Sequence, residues 1–585
     1  MTRNRFFIHF LFIFIFGSEI AVADERLDVL KRISAAGAPA LTLKMLDQAQ
    51  PKIDEDLYEW ILWEQERYKI LSGWQQWNRL LVKIESLPVD IPDQFKHQTI
   101  TYKAQAYLEL GQTATARKII REQLWQSGVG AIADYQAWRR LVISSYLKDG
   151  RIEDARISML RYDQDFDSRD ESWLLLRATV LIQTGRYEQA IQVLEQQKSW
   201  QSKSISLLAR FRSDRIGQTE LWKLVKTQTA KDNATADQLA TLWALGVFAS
   251  EKMSPVDRVV ALEQHFKNAL VSPLSLFELE ADQLWRSYHD YARLVGNRSE
   301  LLVGDHDKWL DLANNAAVST PVKARSLYAL LMTESRSEEV VNRAASGYLK
   351  TFKEIDESER ILLNHLFNRS NIFADANQIP PIMRYQLVDL ALKKADIDEA
   401  TRLMSGMTSY PEGTSRLSWQ LRQSRVLILG GKYKEGNQIM QALITEYKEP
   451  NVDDTDRILQ VLFDMQTVNL HEEVINHFNH LLRLGVEPRQ HREILFWIAD
   501  SYKGLKKYDQ AALLYFQSAM LPDPKAMDPW AQTARFNAAE SLQKSGMVDD
   551  ARRIYQNLLD NTLEPARRSL LKHNIQQLWL NQNTQ

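Results

Sequence analysis

Two consecutive copies of one helix–turn–helix unit, between Arg492 and Pro565, constrain this chain more than anything else in it. In the first copy Leu495, Ile498, Ala499 and Tyr502 follow a leucine, large, small, aromatic order. Tyr508, Ala511 and Tyr515 continue it after a turn, and Pro522 and Pro524 close the unit. The second copy runs through Ala538, Ala539 and Leu542, then Gly546, Val548, Ala551, Tyr555 and Leu558, and stops before Pro565. Where two helix backbones approach closely the residue between them must be small, and Ala499, Ala511, Ala539 and Ala551 meet that need. Large residues one turn away fill the space beside each close contact. No single pair of this kind buries its apolar face alone, so at least about three must stack.

The pattern resembles the tetratricopeptide repeat (TPR), whose signature is W-x2-L-G-x2-Y…A-x3-F…P over about 34 residues. The resemblance implies an all-α fold, an α-solenoid of stacked antiparallel helix pairs forming a TPR-like superhelix. The same frame recurs near the N-terminus in GQTATA (Gly111 to Ala116), GRIEDA (Gly150 to Ala155) and GRYEQA (Gly185 to Ala190). Ala116, Ala155 and Ala190 stand 39 and 35 residues apart, and Trp138 and Trp173 each precede their alanine by 17. Each glycine falls where a helix must end in a left-handed conformation. From Pro381 the frame returns, with Ala400, Gly436, Val474, Ala511 and Ala551 spaced by 36, 38, 37 and 40 residues. The turns there read ADIDEA, GGKYKEG, NLHEEV, KKYDQA and SGMVDDA, and Trp419 precedes Gly436 by 17.

Between these stretches the frame is lost while helical periodicity persists. Ser254-Pro255, Ser272-Pro273 and Thr320-Pro321 read as helix starts, with the hydroxyl residue as cap and proline in the first position. Trp285, Tyr288, Tyr291, Leu294 and Val295 recur at helical spacing. This middle reads as degenerate repeats with longer connections, or as an insertion that shapes a cleft. The organisation is therefore residues 1–23 as a signal peptide, 24–200 as N-terminal repeats, 201–380 as an irregular helical middle, 381–565 as C-terminal repeats and 566–585 as a capping helix and polar tail. In the cap, Leu571, Ile575, Leu578 and Trp579 share one side.

The N-terminus carries the information on compartment. Arg3 and Arg5 precede an apolar run from Phe6 to Phe16, then Gly17 and Ser18, and Ala21-Val22-Ala23 offers a small-x-small cleavage pattern. A secretory signal cleaved after Ala23 fits this order; the run is shorter than the roughly 20 residues a spanning helix needs. An exported, most plausibly periplasmic, protein is expected, with no transmembrane segment in the mature chain. The 585 residues contain no cysteine, which removes disulfides, thiol nucleophiles and thiolate zinc sites. A formal net charge of −2 argues against a general nucleic-acid binder.

Chemistry is sparse. Glu473, His477 and His480 fall on one helical face and could hold zinc, but the frame turns Val474, Phe478 and Leu481 inward and leaves the three polar residues on the solvated side. Asp453-Asp454-Thr455-Asp456 lacks the glycine and terminal glutamate of a calcium loop and reads as a helix start capped by Asp454 or Thr455. Asp305-His306-Asp307 reads as a loop capping the Trp309 helix rather than an acid/base cluster. Glu334-Ser335 is the dipeptide of soluble lytic transglycosylases, exported proteins with a helical superhelix, but no G-L-M-Q-like segment follows it. The sequons at Asn233, Asn297 and Asn368 decide nothing. Catalytic, cofactor and metal residues are accordingly none.

Two functions compete. The TPR resemblance implies a non-catalytic scaffold that holds a partner protein of the cell envelope, serving assembly, polysaccharide export or cell-wall synthesis. It implies a groove lined by the first helix of each repeat, near Arg177, Gln183, Gln420, Arg422 and Asp500. The alternative is a glycan-binding superhelix using tryptophan platforms. Trp60 and Trp63, like Trp74 and Trp77, lie three apart and are expected to share a helix face, with Gly73 turning the chain between the pairs; Trp285 to Trp309 is the second candidate. The competing reading of the first four rings is that they fill the first inter-repeat core. An enzyme of peptidoglycan-processing type is the remaining reading.

Overall fold

The computed structural model describes residues 22–582 apart from 89, 126–131, 232, 251–252, 269–273, 374, 412, 522, 524 and 526. The expected signal peptide up to residue 21, Ser272-Pro273, Pro522, Pro524 and the end of the polar tail lie outside the described residues. Among those described every regular element is helical, α or short 3-10, and none is long and apolar enough to cross a membrane. The fold is an all-α solenoid of TPR type. The chain divides into two compact units, residues 1–224 and 225–585, so the division falls inside the irregular middle.

The first unit is built of successive antiparallel pairs, among them Leu57–Gly73 with Trp77–Glu85, Asp93–Glu109 with Thr113–Trp125, Ile132–Lys148 with Ile152–Asp165, and Glu171–Gln183 with Tyr187–Leu194. Trp138 and Trp173 stand in the first helix of their pairs and are buried, and Ala155 and Ala190 stand opposite them in the second helix, fully covered. In the second unit the pairs Pro488–Gly504 with Tyr508–Ala519 and Pro529–Lys544 with Val548–Asn561 are the two copies that open the sequence argument. Ala499, Ala511, Ala539 and Ala551 are wholly buried there, with Tyr515 and Tyr555 packed beside them. Burying a large apolar side chain is worth about 1.5–3 kcal/mol, and each hairpin gains it only from its neighbours. At Gly436 the helices come closer still: a Cβ there would lie 2.6 Å from the Ile428 side chain and 3.1 Å from the Ser424 carbonyl.

One turn joins the two helices of nearly every pair. A residue with positive φ ends the first helix, and the next amide reaches back five residues: Arg186 N–H to the Leu181 carbonyl at 2.8 Å, Met547 N–H to Leu542 at 2.9 Å. This is the hydrogen bond of a Schellman cap. Gly185 and Gly546 take the left-handed position with φ of 72° and 86°. The same conformation is held without glycine at Gln75, Asp214, Ala395, Asn469 and Lys506. Asp214 and Gly304 carry the turn into the middle region, where the sequence shows no frame.

What distinguishes the middle is long-range packing. Helix Pro255–Asn268 packs on Glu357–Asn368, about a hundred residues later, and Ala281–Val295 packs on both Pro321–Glu334 and Glu357–Asn368. Trp285 donates its indole N–H to the Leu366 carbonyl at 2.9 Å, and Lys267 pairs with Glu359 at 3.0 Å. At the centre Arg325 donates from Nε and Nη2 to the two Glu263 oxygens, at 2.8 and 2.6 Å. Tyr288 donates to the same carboxylate at 2.8 Å and meets the Tyr348 hydroxyl at 2.9 Å. All four residues are buried. Burial opposes the Arg325 charge, but Glu263 more than offsets it, so the guanidinium is held charged more firmly than usual.

Several expectations are corrected. Trp74 and Trp77 do not share a helix: Gly73 ends one, Trp74 follows it exposed, and Trp77 begins the next, because Gln75 takes the left-handed turn. The acidic run is capped by Asn451, whose side chain accepts from the Asp454 amide at 2.9 Å. Thr320 precedes Pro321 but makes no side-chain cap. In the last helix, Pro565–Gln582, Leu571 and Leu578 are buried, while Trp579 turns outward.

Candidate functional site

The first helices of successive repeats stand side by side, and polar side chains join them. In the second unit Lys393 reaches Glu357 at 2.5 Å, Arg422 pairs with Asp389, and Arg425 meets Asp464 at 2.6 Å. Gln466 donates to Ser501 at 2.6 Å and to the Trp497 carbonyl at 2.7 Å, and Lys503 donates to Glu540 at 2.7 Å. In the first unit Lys148 reaches Glu109 at 3.2 Å. The two members of each pair lie about one repeat apart in the chain. These cross-repeat pairs were not anticipated, although charges of opposite sign recurring one repeat apart were there to be read.

The pairs change what the expected groove residues can do. Arg177 is engaged by Asp163 at 3.1 Å, and Arg422 is shared between Asp389 and the face of Trp419. Asp500 accepts a hydrogen bond from Tyr515, and burial pushes its carboxyl above the ordinary range. Burial raises Asp464 and Glu493 as well. Of the five residues, Gln183 is exposed and Gln420 half-buried. This face therefore presents amides and compensated charge rather than bare ions.

The expected histidine site comes out differently. His477 is buried, not solvated, and its Nε2 lies 2.7 Å from the Asn437 side-chain oxygen on the preceding second helix. The correction has a simple cause: the helix His471–Leu484 is covered on two sides, so its buried arc is wider than the stripe of Val474, Phe478 and Leu481. Burial pushes the His477 imidazole down to about 4, with Glu473 opposing and His480 assisting the shift. An open cavity of about 630 Å³ adjoins it, lined by Gln441, Asn476, His480 and Arg483 among others. No group of three His, Asp or Glu side chains placed to hold a metal occurs among the described residues.

The remaining candidates are tied into the scaffold. Asp305 pairs with Lys308 at 2.8 Å, which lowers its carboxyl, while Asp307 pairs with Arg343 at 3.0 Å. Asp305 stands at the N-cap position of the Trp309 helix but makes no side-chain cap. Glu334 pairs with Arg293. Asn297 caps a short helix, and Asn368 donates to Glu399 at 2.8 Å. Trp63, Trp285 and Trp309 are at most 1% exposed and belong to the core, and Trp60 and Trp77 pack against it. Of the rings named as glycan platforms only Trp74, 40% exposed, offers a free surface.

Comparison with known families agrees with this geometry. A tetratricopeptide-repeat family model matches residues 533–561, most of the first helix and all of the second in the last full hairpin. At this hairpin the chain is similar to the tetratricopeptide repeat. A model of the coatomer epsilon subunit matches residues 90–256. No curated protein matches the sequence. Among solved structures, the chain is similar to the pentatricopeptide repeat protein PPR10 in complex with an 18-nt psaJ RNA element, at 13% identity over 93% of this chain and 86% of that one, with a TM-score of 0.26. Yeast Tom70 matches at 11% identity over 83% and 96%, with a TM-score of 0.22. Cut9 of the APC/C hetero-tetramer Cut9-Hcn1 is similar at 15% identity over 87% and 95%, with a TM-score of 0.20. At these scores the structural matches have no bearing on function.

Proposed function

We propose that the chain is an exported, non-catalytic TPR scaffold that holds a partner protein in the cell envelope, in support of assembly, polysaccharide export or cell-wall synthesis. The observation that carries the reading is the recurrence of one helical hairpin within each unit, with first helices side by side and, between Pro381 and Asn561, their charges paired from repeat to repeat. Such a face is rigid and nearly neutral, which suits the docking of a polypeptide through shape and amide contacts. The amino-terminal order of Arg3 and Arg5, an apolar run and Ala21-Val22-Ala23 supports export. The burial of Trp63, Trp285 and Trp309 favours this reading over a glycan platform.

The test is site-specific photo-crosslinking in native envelopes, with the probe at Gln183 or Gln420 on first helices and at Asn476 on a second helix as control. The expected result is one discrete protein adduct from the first-helix sites and none from the control, on a protein whose mature N-terminus is Asp24. A retained Met1, or adducts from the control site alone, overturns the reading. Titration with cell-wall oligosaccharides that quenches tryptophan fluorescence, and loses the effect on Trp74→Ala, would favour the glycan alternative.

A further inference from the structure

Helices Pro39–Ala49, Leu57–Gly73 and Trp77–Glu85 surround an open cavity of about 320 Å³. Its volume lies within the range of small-molecule sites. Arg67, Arg79 and Lys83 line it with Asp47, and Leu43 and Leu71 form an apolar wall. Three cations thus face one carboxylate.

Arg67 is the unusual member. Its side chain is 3% exposed, and its Nη1 donates to Gln50 at 3.0 Å and to the fully buried Glu64. Nε and Nη2 make no hydrogen bond, and neither does the second oxygen of Glu64. Asp47, on the cavity wall, stands 3.0 Å from Nη2, and its side chain is 60% exposed. Nε is thus buried with no partner and Nη2 has only the exposed Asp47, whereas buried guanidinium N–H groups are normally satisfied. Nε and Nη2 form one edge of the guanidinium fork, the edge that takes two oxygens of a carboxylate or phosphate side by side. Glu64 is already shared between Arg67 and Lys83, the latter at 3.8 Å. Arg79 is exposed and makes no ion pair among the described residues.

We propose that this cavity binds a small organic oxyanion, its head group held by Arg67, Arg79 and Lys83 and its apolar part laid against Leu43 and Leu71. The exposed Asp47 carboxylate swings away from Nη2 as the ligand's oxygens take its place. The site is lined by two second helices and by the first helix Leu57–Gly73, and it includes neither Gln183 nor Gln420, so it stands or falls independently of partner docking at those residues.

Isothermal titration of the full chain with phenyl phosphate, benzoate and benzamide tests this. Both anions bind saturably, with Kd of about 1 mM or tighter, and neutral benzamide does not; the ratio between the two anions tells whether phosphate or carboxylate is the preferred head group. The Arg79→Gln/Lys83→Gln variant alters half-exposed or exposed positions only, keeps its helical circular dichroism, and loses about tenfold in affinity, the equivalent of one charge-assisted hydrogen bond. Asp47→Asn removes the competing carboxylate and tightens binding. No saturable binding at millimolar concentration, benzamide binding as tightly as benzoate, or unchanged affinity in the double variant would overturn the proposal.

Discussion

Lys503 donates to Glu540 at 2.7 Å across 37 residues of sequence, joining the first helices of the last two full repeats. Both side chains are roughly one-third exposed or less, so solvent screens the pair only in part. Glu540 has a second cation in Lys544 at 2.9 Å, and together they hold its carboxyl below the ordinary range despite its burial. Lys503→Ala is expected to cost about 0.5–1 kcal/mol, read as a lower urea midpoint. In a double-mutant cycle with Glu540→Gln, a coupling indistinguishable from zero would show that the pair does not join the repeats.

Ala395 holds the turn between Pro381–Lys393 and Ile397–Met404 with φ of 55°. An L-residue pays about 1–2 kcal/mol for that conformation, and glycine gives back about 0.4–1 kcal/mol through the unfolded chain. The net sign is favourable, so Ala395→Gly should stabilise by a few tenths to about 1 kcal/mol in chemical denaturation. A loss of stability would mean that the methyl group makes a contact outweighing the backbone term.

Glu263 is the carboxylate partner of the buried Arg325 and also accepts a hydrogen bond from Tyr288. Glu263→Gln leaves a buried guanidinium unpaired, at a cost of about 3–5 kcal/mol. Hydrogen exchange should register the loss first in helices Pro255–Asn268 and Pro321–Glu334. A variant as stable as the parent would remove this cluster as the anchor of the region.

His477 gives the protein an acid limit. Folded, it takes up its proton only near 4, against 6.5 for an ordinary imidazole. Between those values unfolding binds a proton, so stability falls as pH drops from about 6.5 to about 4 and levels off below. The contribution is at most about 3 kcal/mol. Burial lowers His265 and His289 too, in the same direction. His477→Gln should flatten part of this slope in pH-dependent urea titrations; an unchanged slope would assign the acid sensitivity elsewhere.

The hairpins with glycine turns were legible because Gly111, Gly150, Gly185, Gly431 and Gly546 announce a left-handed backbone in their own identity. Where Gln75, Asp214 or Lys506 holds the same φ, no residue type signals it, because the packing of the two helices overrides a modest local cost. The cross-repeat pairs needed the stacking to be known before one charge could be matched with another. His477 was misplaced because a helical stripe shows one buried arc and cannot show that a second neighbour widens it. The clasp between Pro255–Asn268 and Glu357–Asn368 left no periodic trace at all: apolar spacing reports which face is covered, never by what.

That clasp has a consequence for descent. A file of hairpins that touch only their neighbours can gain or shed a whole unit by duplication or deletion and close up again. Between Pro255 and Asn368 this freedom is gone, since Trp285 is fastened to Leu366 and Arg325 to Glu263. Length variation among descendants of such a chain should therefore collect on either side of this segment, leaving it as the fixed block around which the arrays grow or shrink.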